Sequence, residues 1–368
     1  MQYPIRPNIL RMRPYPPGKP IEDVQRELGL TDVVKLASNE NPIGPSSKAI
    51  EALVASASEV SVYPDARSLR LRTKLAERHG LSIDQVMVGN GSDEIIAVLG
   101  QMFLEPGTEL VMGHPSFLRY DAAAHVSDSK LVKVPLTSAW KHDLPAMAQA
   151  VNEKTRLVFI ANPNNPTGTI VDGDELAQFL DGLPDHVLVV LDEAYFEYAQ
   201  GADYPNCVEL LQSGRRIVVM RTFSKAFGLA GLRIGYAFAD PAVVQAYDSA
   251  RAPFDVNLPA QFAAIAALDD YDHLERTLQV NREGMDYLLS EMPGMGLATI
   301  PSRANFVCIR VDRDDNAVFS DLLRQGVIVR PGSVLGLPGY IRVSIGTMPQ
   351  NQQFVEALKL TVSVGATA

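Results

Sequence analysis

The chain is predicted to be an α/β protein, with a mostly parallel sheet between helices and a smaller α+β unit after it. Two observations predict this. Short apolar runs bounded by turn residues recur along the first two thirds of the chain with helical stretches between them, the pattern of strands buried on both faces. Around Arg251–Asn257 that alternation stops, and shorter strands follow a long helical stretch.

Residues 1–30, rich in Pro and Arg, read as an extended N-terminal arm with one short helix near Ile21–Leu28. In the unit expected over 31–255, Gln85–Val88, Glu109–Met112, Leu157–Ala161, Val187–Leu191 and Ile217–Met220 read as strands. Asp93–Leu104, ended by Pro106-Gly107, and Asp174–Leu180 read as helices. The smaller unit is expected over 256–368. It would hold a long helix from about Leu258 to Met292, strands near Phe306–Arg310, Val327–Val329 and Ile341–Ser344, and a helix at Asn316–Gln325.

Composition narrows the function classes. The 368 residues exceed what one small core needs, and 46% hydrophobic with 21% charged content is that of an ordinary globular protein. A net charge of −10 offers no positive field to a nucleic acid, so an anionic ligand needs locally placed arginines. Cys207 and Cys308 cannot build a disulfide framework or a zinc site, and the six histidines form no close metal-ligating pair; no metal is expected. No apolar run reaches the roughly 18 residues that span a bilayer, and the first residues lack a signal-peptide core. A reducing, cytoplasmic location is expected, with no membrane partner.

Ligands of open α/β sheets bind beyond the carboxyl ends of the strands, where this chain carries polar clusters. Gly91, Ser92 and Asp93 open a helix whose first N–H groups suit a phosphate, although Ser92 or Asp93 would equally serve as a plain N-cap. Phe117, in His114-Pro115-Ser116-Phe117, would stack on a planar ring or simply fill core. Asn162-Pro163-Asn164-Asn165-Pro166-Thr167-Gly168 is a rigid turn in which Asn165 offers an amide to a ring oxygen. Asp192 ends an apolar strand, placed either to pair with a pyridine nitrogen or to cap the next helix, and Tyr195 follows it as a donor to a phenolic oxygen.

Lys225 follows the run Arg215–Phe223 and precedes small residues and Arg233. A lysine at the end of a buried strand forms a Schiff base when its surroundings keep it partly neutral. Ser224 and Arg233 beside it suit a phosphate, and the set suggests pyridoxal phosphate. Asn165 to Asp192 spans 27 residues and Asp192 to Lys225 spans 33, each fitting one strand–helix unit of ~30 residues. Arg330, just after the strand ending at Val329, and Arg342, in a strand near the end, would grip a carboxylate or phosphate or form structural salt bridges.

In this order the motifs resemble the fold-type I pyridoxal-phosphate enzymes, and within them the histidinol-phosphate aminotransferase family, nearly end to end. The segments that carry the resemblance are Leu36–Pro42, Val62–Asp65, Asn162–Gly168, Asp192–Tyr195, Thr222–Gly235 and Gly339–Gly346. It implies a seven-stranded sheet in the large domain and a homodimer. Lys225 would hold the cofactor and shuttle the proton, Asp192 would meet the pyridine nitrogen, and Asn165 and Tyr195 the ring oxygen. Phe117 would stack on the ring, where many members carry tyrosine. Thr222, Ser224, Arg233 and the backbone at Gly91, Ser92 and Asp93 would hold the phosphate, with Tyr63 reaching it from the neighbouring subunit. Tyr15, Asn165, Arg330 and Arg342 would line the substrate side.

The implied reaction is transamination between L-histidinol phosphate and 2-oxoglutarate. Its rivals are an aromatic amino-acid aminotransferase, a phosphothreonine-type decarboxylase and a non-catalytic cofactor-binding sensor. Residues 1–30 are too short for the DNA-binding module that such sensors carry. A nicotinamide dehydrogenase is disfavoured, because Glu94 stands where the third fingerprint glycine belongs.

Overall fold

The computed structural model describes residues 3–12, 14 and 18–365. Its thirteen strands are β1 Val34–Lys35, β2 Val86–Gly89, β3 Glu109–His114, β4 Lys130–Pro135, β5 Thr155–Ala161, β6 Leu188–Asp192, β7 Ile217–Thr222, β8 Gly235–Phe238, β9 Thr299–Ile300, β10 Phe306–Arg310, β11 Val327–Ile328, β12 Arg330–Pro331 and β13 Tyr340–Ser344.

Seven of them form the main sheet in the order β2-β8-β7-β6-β5-β3-β4. The β7-β6-β5-β3-β4 pairs are parallel, while β8 runs antiparallel to both β2 and β7. β5, β6 and β7 are buried on both faces except at Arg156, as central parallel strands covered by helices must be. Their register sets Ala161 beside Asp192 and Asp192 beside Met220, so the strands end together.

β4 and β8 have no counterpart among the strands read from sequence. β4 is the sheet edge, its Lys130 and Lys133 exposed, and lysine is what blunts such an edge. β8 is four residues long and opens on Gly235.

One expected element divides. The single helix over Leu258–Met292 is two, Leu258–Ala267 and Tyr271–Glu291. Asp270 breaks it by turning its carboxylate onto the N–H of His273 at 3.3 Å, which caps a new helix. Ala260, Ala263, Ala264 and Ala267 of the first helix share a core with Val88, Val219 and Phe238 of the main sheet. They pack there although the expected boundary at residue 256 assigns them to the smaller unit.

The smaller unit is a four-stranded antiparallel sheet, β12-β13-β10-β9, packed with the helices Tyr271–Glu291, Asp315–Arg324 and Met348–Gly365. β1 pairs in parallel with β11, and Val34 and Leu36 enter this unit's core. The segment after the arm is therefore stitched to the smaller unit near the far end of the chain. In the arm, Ile21–Leu28 is helical, Pro7–Leu10 forms a further short helix, and Val24 packs on Ile328. Among the described residues no helix is long and apolar enough to cross a membrane.

Candidate active site

A cavity of about 410 Å³ opens at the carboxyl ends of β5, β6 and β7, closed on the other side by β12, β13 and residues 35–40. Its walls include Ser92, Asp93, Phe117, Asn165, Asp192, Tyr195, Thr222, Ser224, Lys225, Arg233, Arg330 and Arg342. Gly91 is not on the wall itself; it immediately precedes Ser92, which is.

One end is built for an anion. The helix Ser92–Phe103 starts directly after Gly91, which has φ 75° and no capping side chain. N–H groups at such a start point outward with the positive end of the helix dipole. Arg233, itself in the left-handed region at φ 55°, lies against them, and a Cβ on Gly91 would come within 2.5 Å of its Nη2. Arg233 Nη1 donates to Ser224 Oγ at 3.5 Å, and Thr222 Oγ1 donates to the same oxygen at 3.0 Å. Asp93 Oδ2 lies 3.5 Å from Arg233 Nη2, holding the guanidinium in place.

The middle suits a flat ring. Asp192 is buried; its Oδ2 accepts from the Tyr120 hydroxyl at 2.7 Å and its Oδ1 from the Ala194 N–H at 3.1 Å. Burial pushes its carboxyl up to about 6, against the lowering effect of those two bonds. A cation bound against it would restore its charge. The next residue, Glu193, faces away and binds Arg221 Nε at 2.8 Å in a fully buried pair, with Phe196 under the guanidinium at 3.4 Å. Tyr204 donates to Glu193 and to the Asn162 carbonyl, which ties the loop after β5 to the end of β6. Adjacent carboxylates are thus divided, one for the cavity and one for the scaffold.

The third wall carries Lys225, whose Nζ donates to the Ser38 carbonyl at 3.1 Å. Burial and the nearby Arg342 draw its amine down to about 8, with Glu40 opposing them. A lysine so placed is a nucleophile near neutral pH. Tyr195 OH accepts from Asn39 Nδ2 at 2.9 Å and from Asn165 Nδ2 at 3.3 Å. Arg330 and Arg342 are register partners on β12 and β13, both buried. Arg342 donates to Asn165 Oδ1 at 2.6 Å and to the Ala37 carbonyl at 2.7 Å, while its buried Nε has no partner among the described residues. An orphaned donor of that kind suits an incoming carboxylate or phosphate. A planar, phosphate-bearing aldehyde such as pyridoxal phosphate fits these walls in size, charge and donor placement.

One expected residue lies elsewhere. Tyr63 is 78% exposed, outside this cavity, and stacks on Phe254 at 4.7 Å. Tyr15 lies outside the described residues. Sequence reasoning missed Tyr120, which sits one helical turn after Phe117, and gave no individual role to Ser38, Asn39 or Glu40 of the Leu36–Pro42 segment. Asn39 has φ 56° and donates through its backbone to Ser344 Oγ at 2.8 Å.

Comparison with known proteins agrees with this geometry. Residues 31–358 match the family model described as aminotransferase class I and II. A histidinol-phosphate aminotransferase of Moorella thermoacetica is 48% identical over 96% of this chain and 92% of its own length. Histidinol-phosphate aminotransferase 2 of Carboxydothermus hydrogenoformans is 45% identical, covering 98% of this chain and 99% of its own. The crystal structure of the Sinorhizobium meliloti histidinol-phosphate aminotransferase in complex with pyridoxal-5'-phosphate superposes with a TM-score of 0.90 at 28% identity, covering 99% of both chains. With its fold, its cavity and these matches over nearly its whole length, the chain belongs to the class I and II aminotransferases, beside relatives named histidinol-phosphate aminotransferases.

Proposed function

We propose that the chain transfers the amino group of L-histidinol phosphate to 2-oxoglutarate with pyridoxal phosphate, giving imidazole-acetol phosphate and L-glutamate in histidine biosynthesis. The observation that carries this reading is the cavity itself. A near-neutral lysine, a buried aspartate and a helix-start anion cradle face one space, and two buried arginines face it from the other side.

When bound, pyridoxal phosphate supplies an electron sink for the bond broken at the substrate's Cα. The chain's residues do the rest. Lys225 Nζ would hold the cofactor and, as a free amine, would carry the substrate's Cα proton as general base and then general acid. Asp192 holds the positive charge of the pyridine nitrogen. Asn165 and Tyr195 orient the ring oxygen, and Phe117 covers a ring face. Arg233, Ser224, Thr222 and the backbone at Gly91, Ser92 and Asp93 anchor the phosphate. Arg330 and Arg342 receive the phosphate of the donor and the carboxylate of the acceptor in turn, so one site serves both halves of the cycle.

In the same reading the enzyme is a cytoplasmic homodimer in which Tyr63 completes the neighbouring subunit's phosphate site. Its exposure supports Tyr63 in that role: Tyr63, Val60 and Val62 form an apolar surface that a second copy would cover. The cofactor-binding unit then extends at least through Leu268, and the helix Tyr271–Glu291 leads from its core, at Leu274, into that of the smaller unit, at Met285.

The test is glutamate formation from 2-oxoglutarate with L-histidinol phosphate, L-phenylalanine or L-tyrosine as donor. Preference for histidinol phosphate by about 100-fold or more in kcat/KM supports the reading; preference for the aromatic amino acids replaces it with an aromatic aminotransferase.

A further inference from the structure

We propose that Tyr120 is a positioning residue for the cofactor: its hydroxyl orients the Asp192 carboxylate, and its ring sets the plane of Phe117. The proposal rests on the reading that this cavity takes pyridoxal phosphate.

Tyr120 is fully buried on the first turn of the helix Arg119–Val126. A buried phenol needs a partner for its hydroxyl, and a core filler would find it on backbone. Here the partner is Asp192 Oδ2 at 2.7 Å. The Ala194 N–H occupies Oδ1, so each carboxylate oxygen holds one bond and the carboxylate plane is fixed. Burial and the neighbouring Asp192 push the Tyr120 hydroxyl well above its ordinary range, so it stays a donor throughout neutral pH.

The ring does a second task. It stacks on Phe159 of β5 at 4.4 Å and meets Phe117 edge-on at 5.6 Å, while the Tyr120 N–H donates to the Phe117 carbonyl at 3.2 Å. One side chain therefore links the group expected at the pyridine nitrogen to the group expected on the ring face. Both lie on the cavity wall, and Tyr120 lies there with them.

The charges around Asp192 explain why a hydroxyl is needed. Asp93 and Glu193 both disfavour its ionised form, as burial does; the Tyr120 and Ala194 bonds favour it. Lys35, Glu40, Tyr195, Lys225, Arg233, Arg330 and Arg342 are the other titratable groups on the cavity wall. Glu193 is itself neutralised by Arg221. With the hydroxyl removed, Asp192 would keep one bond and take up a proton at higher pH. It would then offer less to a pyridinium.

The experiment compares Tyr120→Phe with wild type, with Asp192→Asn and with the double variant. Each is purified, stripped of cofactor and titrated with pyridoxal phosphate between about pH 5.5 and 8, following the absorbance of the bound cofactor. For Tyr120→Phe the expected result is a Kd raised about tenfold at neutral pH, rising further as pH falls toward 6, with melting temperature near wild type. In the Asp192→Asn background the same change should shift Kd less than about twofold, because the hydroxyl then has no carboxylate to hold. The amino-donor KM should stay near wild type while kcat falls. Wild-type Kd for Tyr120→Phe at every pH would overturn the proposal, as would equal losses in both backgrounds. Failure of the wild-type chain to bind pyridoxal phosphate at all would instead overturn the reading of the cavity, and the role of Tyr120 with it.

Discussion

Arg342 and Asn165 are joined by a 2.6 Å hydrogen bond from Nη1 to Oδ1, although 177 residues separate them. The same asparagine donates to Tyr195 OH, and the same arginine donates to the Ala37 carbonyl. This cavity-lining arginine of the smaller unit is thus held by the cavity-lining residues of the main sheet's loops. Its substitution should be felt at both places.

Arg342→Ala is expected to raise KM for 2-oxoglutarate by about 10- to 100-fold, roughly 1.4–3 kcal/mol of binding, and to lower kcat as Asn165 loses its partner. Arg342→Lys should recover only part, since a point charge cannot replace a planar fork. Steady-state kinetics with both co-substrates checks this. Unchanged kinetics for the alanine variant would assign Arg342 to scaffold.

Lys225 predicts a pH dependence of cofactor uptake. Its amine is drawn down to about 8. Below that pH it is mostly ammonium, without a lone pair to attack an aldehyde, and above it the neutral amine prevails. The rate at which stripped protein captures pyridoxal phosphate should therefore rise with pH and reach its half-maximum near pH 8. Stopped-flow absorbance gives this curve directly. Lys225→Ala should show no such curve and should lose transamination by about 1000-fold or more.

Gly91 has φ 75°, and a Cβ there would lie 2.5 Å from Arg233 Nη2. Gly91→Ala must push the guanidinium out of the anion cradle or distort the helix start. Cofactor Kd should rise at least about tenfold, with a fall in melting temperature of a few degrees. Equilibrium titration and thermal melts separate the two effects.

Tyr63 makes a subunit-mixing prediction. If it completes the partner's site, Tyr63→Ala and Lys225→Ala homodimers should each be impaired. Remixing them should create dimers with one intact site, restoring about a quarter of wild-type sites in a statistical mixture. Activity equal to the sum of the parents after exchange would place Tyr63 outside the partner's chemistry.

Legibility in the sequence followed local signals. β5, β6 and β7 were readable because each is a dense apolar run stopped by polar residues, and Asn165, Asp192 and Lys225 stand at those stops. β4 was not, because its lysines dilute the apolar pattern on the sheet edge. The break at Asp270 was hidden because apolar periodicity continues across it. Tyr120 reads as an ordinary core tyrosine, since only the folded chain shows its hydroxyl meeting Asp192. Asn39 and Ser38 act through backbone and amide contacts with distant segments, which no local pattern encodes.

The cavity walls run from Gly18 to Arg342, and β1 is paired with β11. A chain still emerging from the ribosome therefore has Lys225 long before it has a cavity around it. Capture of the cofactor becomes a signature of completed synthesis, and a truncated product ending before β13 should remain colourless whatever the fate of its main sheet.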